Sequence, residues 1–344
     1  PTRSQTSRRH CWRGCHERPD HQHAGLARGA LGAAGVVLGA APGVDVAGAG
    51  LVGLVGDSVM VTSPALRYHG GKFRLAPWIM QFFPEHQTYV EPFGGAAGVL
   101  LQKPRSYAEV YNDIDGEIVN FFRVLRVPEM RQQLVELVSL TPYARAEYEQ
   151  AWEETDDPIE RARRVAIRAQ MGFGSVGATK GATGFRIDTK RAYRTAQHLW
   201  TEYPEAIAAA GRRFQDVLVE NRPAIDIMLQ HDRVDTLHFV DPPYVLSTRV
   251  LQANGKGYYR HEMTDSDHLD LLRVLLELEG MVVISGYDSE LYRDRLSGWE
   301  TFQTTSRISA GRGTALRTET VWINPACSDA LHCRQMPMFG EEVA

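Results

Sequence analysis

The chain has 344 residues, of which 43% are hydrophobic and 23% charged. This composition is typical of a globular protein with one large or two ordinary domains and excludes a mostly disordered chain. Its 38 Lys and Arg against 42 Asp and Glu give a net charge of −4, so a nucleic-acid partner would need a local basic surface. The four cysteines lie near the two ends, which excludes a disulfide framework and favours a reducing cytoplasm.

Residues 1–59 differ in composition from the rest of the chain. An Arg- and His-rich start is followed by a Gly/Ala/Val tract, which Pro42 and Asp45 divide into apolar runs too short to span a membrane. The tract is also too rich in glycine for a secretory signal. Cys11 and Cys15 lack the second pair of ligands that a metal site needs. We therefore expect no metal site and a poorly ordered, dispensable extension upstream of a natural start at Met60.

From Met60 onward, short apolar runs alternate with helical patterns. The predicted strands are 88–91, 107–111, 216–219, 237–240 and 281–285, and Asp115 is placed to cap the helix that follows the second of them. A helix is also predicted after the first strand, ending near Gln102, and another over 265–278. This alternation predicts an α/β fold with a parallel, doubly wound sheet. The stretches 300–308 and 319–323 predict a hairpin at its edge.

The alternation stops between residues 126 and 215, where helices are predicted near 142–154, 158–171 and 191–210. The interpretation is an α/β domain formed by residues 60–125 and 216–325, interrupted by a helical insert over 126–215 and followed by a flexible tail over 326–344. Between Glu160 and Thr195 the insert has nine Lys or Arg and two acids. A solvated helix face would have this pattern. The adjoining aromatic, glycine-rich loop favours a surface that contacts phosphates, and the candidate residues are Arg168, Lys180, Arg186, Lys190 and Arg191.

A glycine-rich turn, Glu91-Pro92-Phe93-Gly94-Gly95-Ala96-Ala97-Gly98, follows the first strand. Small residues there let the backbone approach a ligand closely, which indicates a nucleotide-like cofactor. Asp113 comes about 20 residues after the turn, the separation at which an acid meets a ribose hydroxyl in dinucleotide folds. Asp113 could instead cap the next helix. The turn contains no Lys, which excludes a P-loop.

A second motif, Asp241-Pro242-Pro243-Tyr244, follows the predicted strand 237–240. The carboxyl ends of parallel strands line one crevice, so Asp241 is expected beside the glycine-rich turn. Two prolines stiffen the loop and fix its acceptors in one geometry. A carboxylate, a carbonyl and an aromatic face suit the exocyclic amine of a planar base, with Tyr244 stacked on the ring. A plain turn at the end of a strand is the alternative interpretation.

From about Ser63 to Pro325 the chain resembles the Dam-like DNA adenine methyltransferases, especially those of phages and prophages. The segments that carry the resemblance are Tyr68 to Lys72, Tyr89 to Gly95, Tyr111 to Asp115, Asp241 to Tyr244, Tyr259 to Thr264, Ser285 to Tyr287 and Arg317 to Glu319. Their order, with the variable insert between the cofactor segments and Asp241, is similar to that of the family. The long N-terminal extension departs from it.

The resemblance implies a Rossmann-like methyltransferase sheet that uses S-adenosylmethionine and needs no metal. Tyr68 and Lys72 would line the cofactor pocket, Phe93, Gly94 and Gly95 would form its floor, Asp113 would hold the ribose, and Asp241 would adjoin the cofactor. Asp241, Pro242 and Tyr244 would bind an adenine flipped out of double-stranded DNA and present its amino group to the methyl donor. The insert would recognise the DNA sequence, and the enzyme would be a monomer without membrane attachment.

Three alternatives remain open at this point. An amino-methyltransferase acting on RNA adenine or on cytosine would share the cofactor and the Asp-Pro-Pro-Tyr motif. A nicotinamide-dependent oxidoreductase would need a Gly-x-Gly-x-x-Gly turn, which the glycine-rich turn does not provide. A catalytically inactive DNA-binding protein would be expected to have lost Asp241 or Lys72, and both are present.

Overall fold

The computed structural model describes residues 61–175, 181, 183–187, 194–249, 258–310 and 313–335. The predictions made for residues 1–59 and for Lys180, Lys190 and Arg191 lie outside the described residues.

Seven strands form one mixed sheet in the order β3-β2-β1-β4-β5-β7-β6. The strands are β1 (Thr88–Glu91), β2 (Ala108–Asn112), β3 (Leu218–Glu220), β4 (Thr236–Val240), β5 (Met281–Gly286), β6 (Glu300–Ala310) and β7 (Gly313–Ile323). The first five are parallel, whereas β7 pairs antiparallel with both β5 and β6. The mixed α/β architecture agrees with the predicted class, and the strand order changes direction between β1 and β4, where α/β sheets bind ligands.

The helices in the described part of the chain connect or flank these strands. They are α1 (Ala76–Ile79), α2 (Gly116–Arg126), α3 (Pro128–Leu140), α4 (Arg145–Gln150), α5 (Pro158–Met171), α6 (Ala196–Arg213), α7 (Ala224–Gln230), α8 (Asp265–Glu277), α9 (Glu290–Arg295) and α10 (Pro325–Gln335). Side-chain caps explain several of their starts. Asp115 accepts a hydrogen bond from the Glu117 N–H at the start of α2, as predicted, and Thr264 and Asp267 form a capping box on α8.

The sheet is buried on both faces because successive side chains of a strand point in opposite directions. On β5, Val283 belongs to a core cluster that includes residues of α2, α5 and α6. Its neighbours Val282 and Ile284 belong to a second cluster with Leu271 and Leu272 of α8. Burial on both faces is typical of a parallel sheet covered by helices on each side, and it fixes the ends of the strands relative to one another.

The segment after the glycine-rich turn is not the predicted apolar helix. Residues 95–103 form successive turns instead, because Gly95 and Ala97 have φ values of +47° and +54°. Left-handed residues interrupt a right-handed helix. The apolar side chains there, including Leu100 and Leu101, are nevertheless buried. The hydrophobic pattern therefore predicted the burial of this segment correctly, and its prediction of a helix was wrong.

The helical region, residues 126–215, also differs from its prediction in detail. It contains α3, which no predicted helix covered, and α4 is shorter than the predicted 142–154. The tail predicted to be flexible from residue 326 begins as α10, whose Cys327 is fully buried. Within the described residues no helix combines the length and apolarity needed to cross a bilayer.

Candidate active site

The glycine-rich turn lies where β1 ends and is held against the end of β2. The Gly94 N–H donates to the Asn112 carbonyl at 2.7 Å, and the Gly95 N–H donates to Asp113 Oδ2 at 2.8 Å. A Cβ atom on Gly94 would lie 2.2 Å from the Tyr111 ring, and one on Gly95 would lie 2.8 Å from the Tyr68 ring. Both positions therefore need glycine, because neighbouring rings occupy the space of a side chain.

Asp113 connects this turn to the loop that follows β2. Besides Gly95, its carboxylate accepts a hydrogen bond from the Asp115 N–H at 2.8 Å, while Asp115 and not Asp113 caps α2. Burial raises the pKa of Asp113 to about 6, in opposition to the two backbone donors, which lower it. Asp113 therefore joins the glycine-rich turn to the loop after β2 through these two hydrogen bonds. It does not cap α2, so its alternative role as a helix cap is wrong.

A cavity of about 420 Å³ opens at the carboxyl ends of the strands, with walls from the segments that follow β1, β2 and β4. It brings together the predicted cofactor residues, which are Tyr68, Lys72, Phe93, Gly94, Gly95, Asp113 and Asp241. Pro243 also lines it. Pro242 and Tyr244 are buried beside it and do not form its wall. The cavity lies at the switch of strand order between β1 and β4, as ligand sites of this architecture do.

Asp241, directly after β4, is held by two partners from distant parts of the chain. Lys72 Nζ lies 2.8 Å from its carboxylate and also donates to the Gly70 carbonyl at 2.8 Å. The Ser285 hydroxyl, on β5, donates to Asp241 Oδ1 at 2.6 Å. Lys72 and Ser285 are buried. A carboxylate fixed by a cation and a hydroxyl has a defined orientation and retains lone pairs for another donor.

The Tyr244 ring lies behind this pair. Its hydroxyl donates to Glu319 Oε2 at 2.8 Å, the Lys72 ammonium lies 4.8 Å from the ring centroid, and the Tyr287 ring approaches edge-on at 4.6 Å. Burial, followed by the charges of Asp241 and Glu319, raises the pKa of the Tyr244 phenol. The phenol is therefore a protonated hydrogen-bond donor at neutral pH.

Glu91 is a buried acid at the end of β1 for which the sequence predicted no separate role. It is 2% exposed, and its Oε2 accepts hydrogen bonds from the Tyr89 hydroxyl at 2.9 Å and the Leu100 N–H at 3.1 Å. Burial raises the pKa of Glu91 to about 8, assisted by the nearby charge of Asp241. It carries a proton at neutral pH in a large fraction of molecules.

One wall of the cavity comes from the segment 258–263. Tyr259 packs against Gly70, where an added Cβ would lie 2.1 Å from its hydroxyl oxygen. Arg260 Nη1 lies 3.1 Å from Asp115 Oδ1. The segment thereby contacts both the N-terminal end of the catalytic region and the loop after β2. Its inclusion in the resemblance was the only indication of this position.

The candidate DNA-binding arginines that the structure describes are not on an open surface. Arg168 is 8% exposed and its Nη2 lies 2.9 Å from Glu117 Oε2, while its guanidinium carbon lies 5.3 Å from the Trp152 ring centroid. Arg186 is 7% exposed. The burial of both side chains corrects their interpretation as an accessible basic face. For Arg168 the reason is that Glu117, an acid distant in sequence, is its neighbour in space.

Three residues that the sequence did not single out contribute to the site, namely Ser285, Glu319 and Glu91. Ser285 and Glu319 belong to segments that carried the resemblance, but neither had been given a role. Among the described residues there is no group of three or more His, Cys, Asp or Glu arranged to hold a metal ion.

Comparison with known proteins agrees with this geometry. A family model described as D12 class N6 adenine-specific DNA methyltransferase matches residues 68–309. The chain is 24% identical over 265 residues to the DNA adenine methylase of Salmonella typhimurium, covering 74% of this chain and 92% of the relative. It is 25% identical over 274 residues to that of Vibrio cholerae serotype O1, covering 72% and 91%.

A third relative is the DNA adenine methylase of Escherichia coli K12, 25% identical over 238 residues, which cover 67% of this chain and 82% of the relative. These matches support neither an RNA or cytosine substrate nor a nicotinamide-dependent reaction. The family match spans the cavity, Asp241 and the helical region, and covers more than half of the chain. The chain therefore belongs to the D12 class N6 adenine-specific DNA methyltransferases, and its activity is the methylation of adenine in DNA.

Proposed function

We propose that S-adenosylmethionine is the methyl donor and binds in the cavity at the carboxyl ends of β1, β2 and β4. The fit is supported by the volume of about 420 Å³ and by a lining that includes the Gly94 and Gly95 backbone, against which the Tyr111 and Tyr68 rings pack closely because these positions have no side chain. Tyr68 and Lys72 would line the pocket, and its floor would be formed by Phe93, Gly94 and Gly95. Asp113 would accept a hydrogen bond from the ribose.

The charge of the cavity also suits a cationic ligand. Its lining has three Lys or Arg, namely Lys72, Arg222 and Arg260, against seven acids, namely Glu91, Asp113, Asp115, Asp241, Glu262, Asp267 and Asp270. The acids outnumber these cations even when Glu91, whose pKa burial raises to about 8, is protonated. When bound, S-adenosylmethionine supplies a methyl group already activated on a sulfonium. The protein therefore has to hold and orient the reactants, and needs little acid or base strength for the transfer itself.

The target in this proposal is an adenine flipped out of double-stranded DNA. Asp241 and the Pro242 carbonyl accept hydrogen bonds from the two N–H bonds of the amino group, so that its nitrogen lone pair points at the methyl group. The Tyr244 ring, which is buried beside the cavity before DNA binds, is uncovered on binding and stacks on the base. Lys72 and Ser285 leave Asp241 enough lone pairs for this contact, since a carboxylate has about four acceptor sites. After transfer, the surplus proton leaves through Asp241 or directly to water.

DNA phosphates would be contacted by Lys180, Lys190 and Arg191, because these cations belong to the sequence segment between Glu160 and Thr195 that has nine Lys or Arg and two acids. Flipping costs a few kcal/mol, and stacking on Tyr244 would offset part of it. We further propose that the enzyme is a monomer and works in the cytoplasm, where its DNA substrate lies.

The observation that carries the proposal is the Asp241 carboxylate, fixed between Lys72 and Ser285 at the edge of the glycine-floored cavity. Its test is methyl transfer from labelled S-adenosylmethionine to unmethylated DNA by Asp241→Ala and Asp241→Asn. Loss of one preorganised acceptor is expected to slow transfer by about 10²–10³-fold. The exposed Asp294→Ala is the matched control and keeps the parental rate.

Calorimetric titration with S-adenosylmethionine separates chemistry from binding in the same variants. Both Asp241 variants are expected to bind the cofactor within about tenfold of the parent, because the other cavity residues remain. A normal transfer rate in Asp241→Ala would contradict the proposed role of the motif.

A further inference from the structure

Glu319 is a buried acid on the antiparallel strand β7, and the proposed reaction gives it no role. It is 7% exposed. Its Oε2 accepts the hydrogen bond from the Tyr244 hydroxyl at 2.8 Å, and its Oε1 accepts one from the Ser306 hydroxyl at 3.3 Å. A buried carboxylate is costly unless it is hydrogen-bonded, so these partners account for its burial. They do not account for why an acid lies there.

Tyr244 belongs to a stiff loop after β4, but its side chain still has two rotatable bonds. The Lys72 ammonium over the ring and the Tyr287 edge contact restrain the ring by weak, broadly directional forces. The hydroxyl is the atom farthest from the backbone, so a short hydrogen bond there restrains the first torsion and thereby where the ring lies. The hydroxyl oxygen lies on the axis of the second torsion, so the Lys72 and Tyr287 contacts restrain the plane of the ring. Glu319 supplies that bond from a strand 75 residues away in the chain.

The acceptor is charged and the donor is a protonated phenol, which makes the hydrogen bond stronger than one between neutral groups. The register of the edge pair fixes the position of Glu319, since it lies opposite Thr304 in a long antiparallel ladder between β6 and β7. The position of the Tyr244 ring in the sheet is therefore fixed by the hydrogen bond to β7 as well as by its own loop.

We infer that Glu319 is a positioning residue for the methylation of adenine: it fixes the Tyr244 ring as the surface on which the flipped base stacks. The inference rests on the proposed role of Tyr244 and deepens it. A ring held in place before the base arrives loses no rotational freedom on stacking, whereas a free ring must be ordered by the base itself. Removing Glu319 should therefore slow the reaction without changing cofactor binding.

The test measures single-turnover methyl transfer by the full chain for Glu319→Gln, Glu319→Leu, Tyr244→Phe and the double variant Glu319→Leu/Tyr244→Phe. Gln retains an acceptor oxygen and is expected within about threefold of the parent, whereas Leu and the Phe variant are each expected to be about tenfold slower. The double variant is expected to be about tenfold slower and not about a hundredfold, because both changes remove one interaction. Thr305→Ala, exposed on β6, is the control.

Two further measurements exclude a general structural effect. The calorimetric affinity for S-adenosylmethionine is expected to be unchanged in the Glu319 variants. DNA with 2-aminopurine at the target position is expected to show altered fluorescence in the bound complex of Glu319→Leu and of Tyr244→Phe, and parental fluorescence with Glu319→Gln, because the probe reports the stacking of the flipped base.

A parental rate for Glu319→Leu, or rates that multiply in the double variant, would overturn the inference. Tyr244→Ala distinguishes this failure from failure of the proposed function, since a parental rate in that variant would remove Tyr244 from the reaction altogether. If Glu319→Leu does not unfold cooperatively, the comparison of Tyr244→Phe with Glu319→Gln decides. Slow transfer by the first and parental transfer by the second support the inference, and any other pair of results overturns it.

Discussion

The cavity and the helical region both contain buried charges, but they arrange them differently. In the cavity, Lys72 meets Asp241 across 169 positions of the chain at the carboxyl ends of parallel strands. In the helical region, Arg163 and Arg164 of α5 pair with Glu160 on the same helix, and Arg168 pairs with Glu117 of the neighbouring α2. The first arrangement leaves a carboxylate beside an open cavity, and the second neutralises its cations inside a helix bundle.

The difference shows that a short motif can predict where a residue lies in the fold, whereas a count of charges cannot predict whether a side chain is accessible. The position of Asp241 follows from the topology of the sheet, because a residue after a parallel strand must lie at the ligand edge. Whether an Arg is available to DNA depends on which acids surround it, and Glu117 and Glu147 reach α5 from other helices. A segment with few acids in the sequence therefore does not have to form a basic patch in space.

The largest expected effect tests the helical region. Arg168→Ala should lower the free energy of unfolding by about 3 kcal/mol, because it removes a buried guanidinium and leaves one oxygen of the partly buried Glu117 carboxylate unpaired. Urea unfolding measures this loss. The salt dependence of DNA binding should stay that of the parent, since Arg168 is not expected to contact a phosphate.

Lys180→Ala/Lys190→Ala is the matched comparison for that variant. It is expected to flatten the log–log salt dependence of DNA binding by about two units and to leave stability unchanged, because each phosphate contact releases about one counterion. A flatter salt dependence in Arg168→Ala would mean that Arg168 contacts a phosphate, and it would contradict the contrast drawn between the two regions.

A smaller effect is expected on the cavity side. Asp113→Ala should weaken S-adenosylmethionine binding by about 2 kcal/mol, since both the proposed ribose acceptor and the brace on the Gly95 N–H are lost. Asp113→Asn, which keeps one acceptor oxygen, should lose less. Calorimetric titration of the parent and both variants provides the comparison, and parental affinity in Asp113→Ala would limit Asp113 to bracing the loop.

The smallest expected effect, when it is counted per pH unit, is on the pH dependence of stability. Burial raises the pKa of Glu91 from the ordinary 4.5 to about 8, so the folded protein holds this proton more tightly than the unfolded chain. The contribution of Glu91 to stability is therefore fully present below about pH 4.5 and is lost as the pH rises to about 8, by at most about 1.4 kcal/mol per pH unit.

Glu91→Gln should remove this part of the pH dependence, because the amide does not titrate. Urea unfolding of the parent and the variant across that pH window isolates the contribution of Glu91, and the exposed Glu149→Gln is the control. Parallel pH profiles for the parent and Glu91→Gln would mean that Glu91 titrates in the folded protein as it does in the unfolded chain.

Local patterns were sufficient for much of the fold. The apolar runs predicted β1, β4 and β5 to within one residue at each end, Asp115 caps α2 as predicted, and the helix predicted over 265–278 is α8. They were insufficient for residues 95–103, where the left-handed backbone of Gly95 and Ala97 replaces the predicted helix. Tertiary contacts there fix a conformation that composition alone does not specify.

For the site, the sequence by itself determined which strand ends carry polar groups. Gly94, Gly95, Asp113 and Asp241 all lie directly after parallel strands, and sheet topology then brings them to one edge. Their family resemblance was visible in the same segments. Both kinds of information are local, because they depend on residues within a few positions of one another.

Only the tertiary structure decided the partners. Ser285 contacts Asp241 because β5 lies beside β4 in the sheet. Glu319 contacts Tyr244 because β7 lies beside β5. Packing on both faces of the sheet sets the register of these strands. The same packing pairs Arg168 with Glu117. The energy of a hydrogen bond or an ion pair depends on the distance between the two groups and on their burial, and the separation of the residues along the chain determines neither.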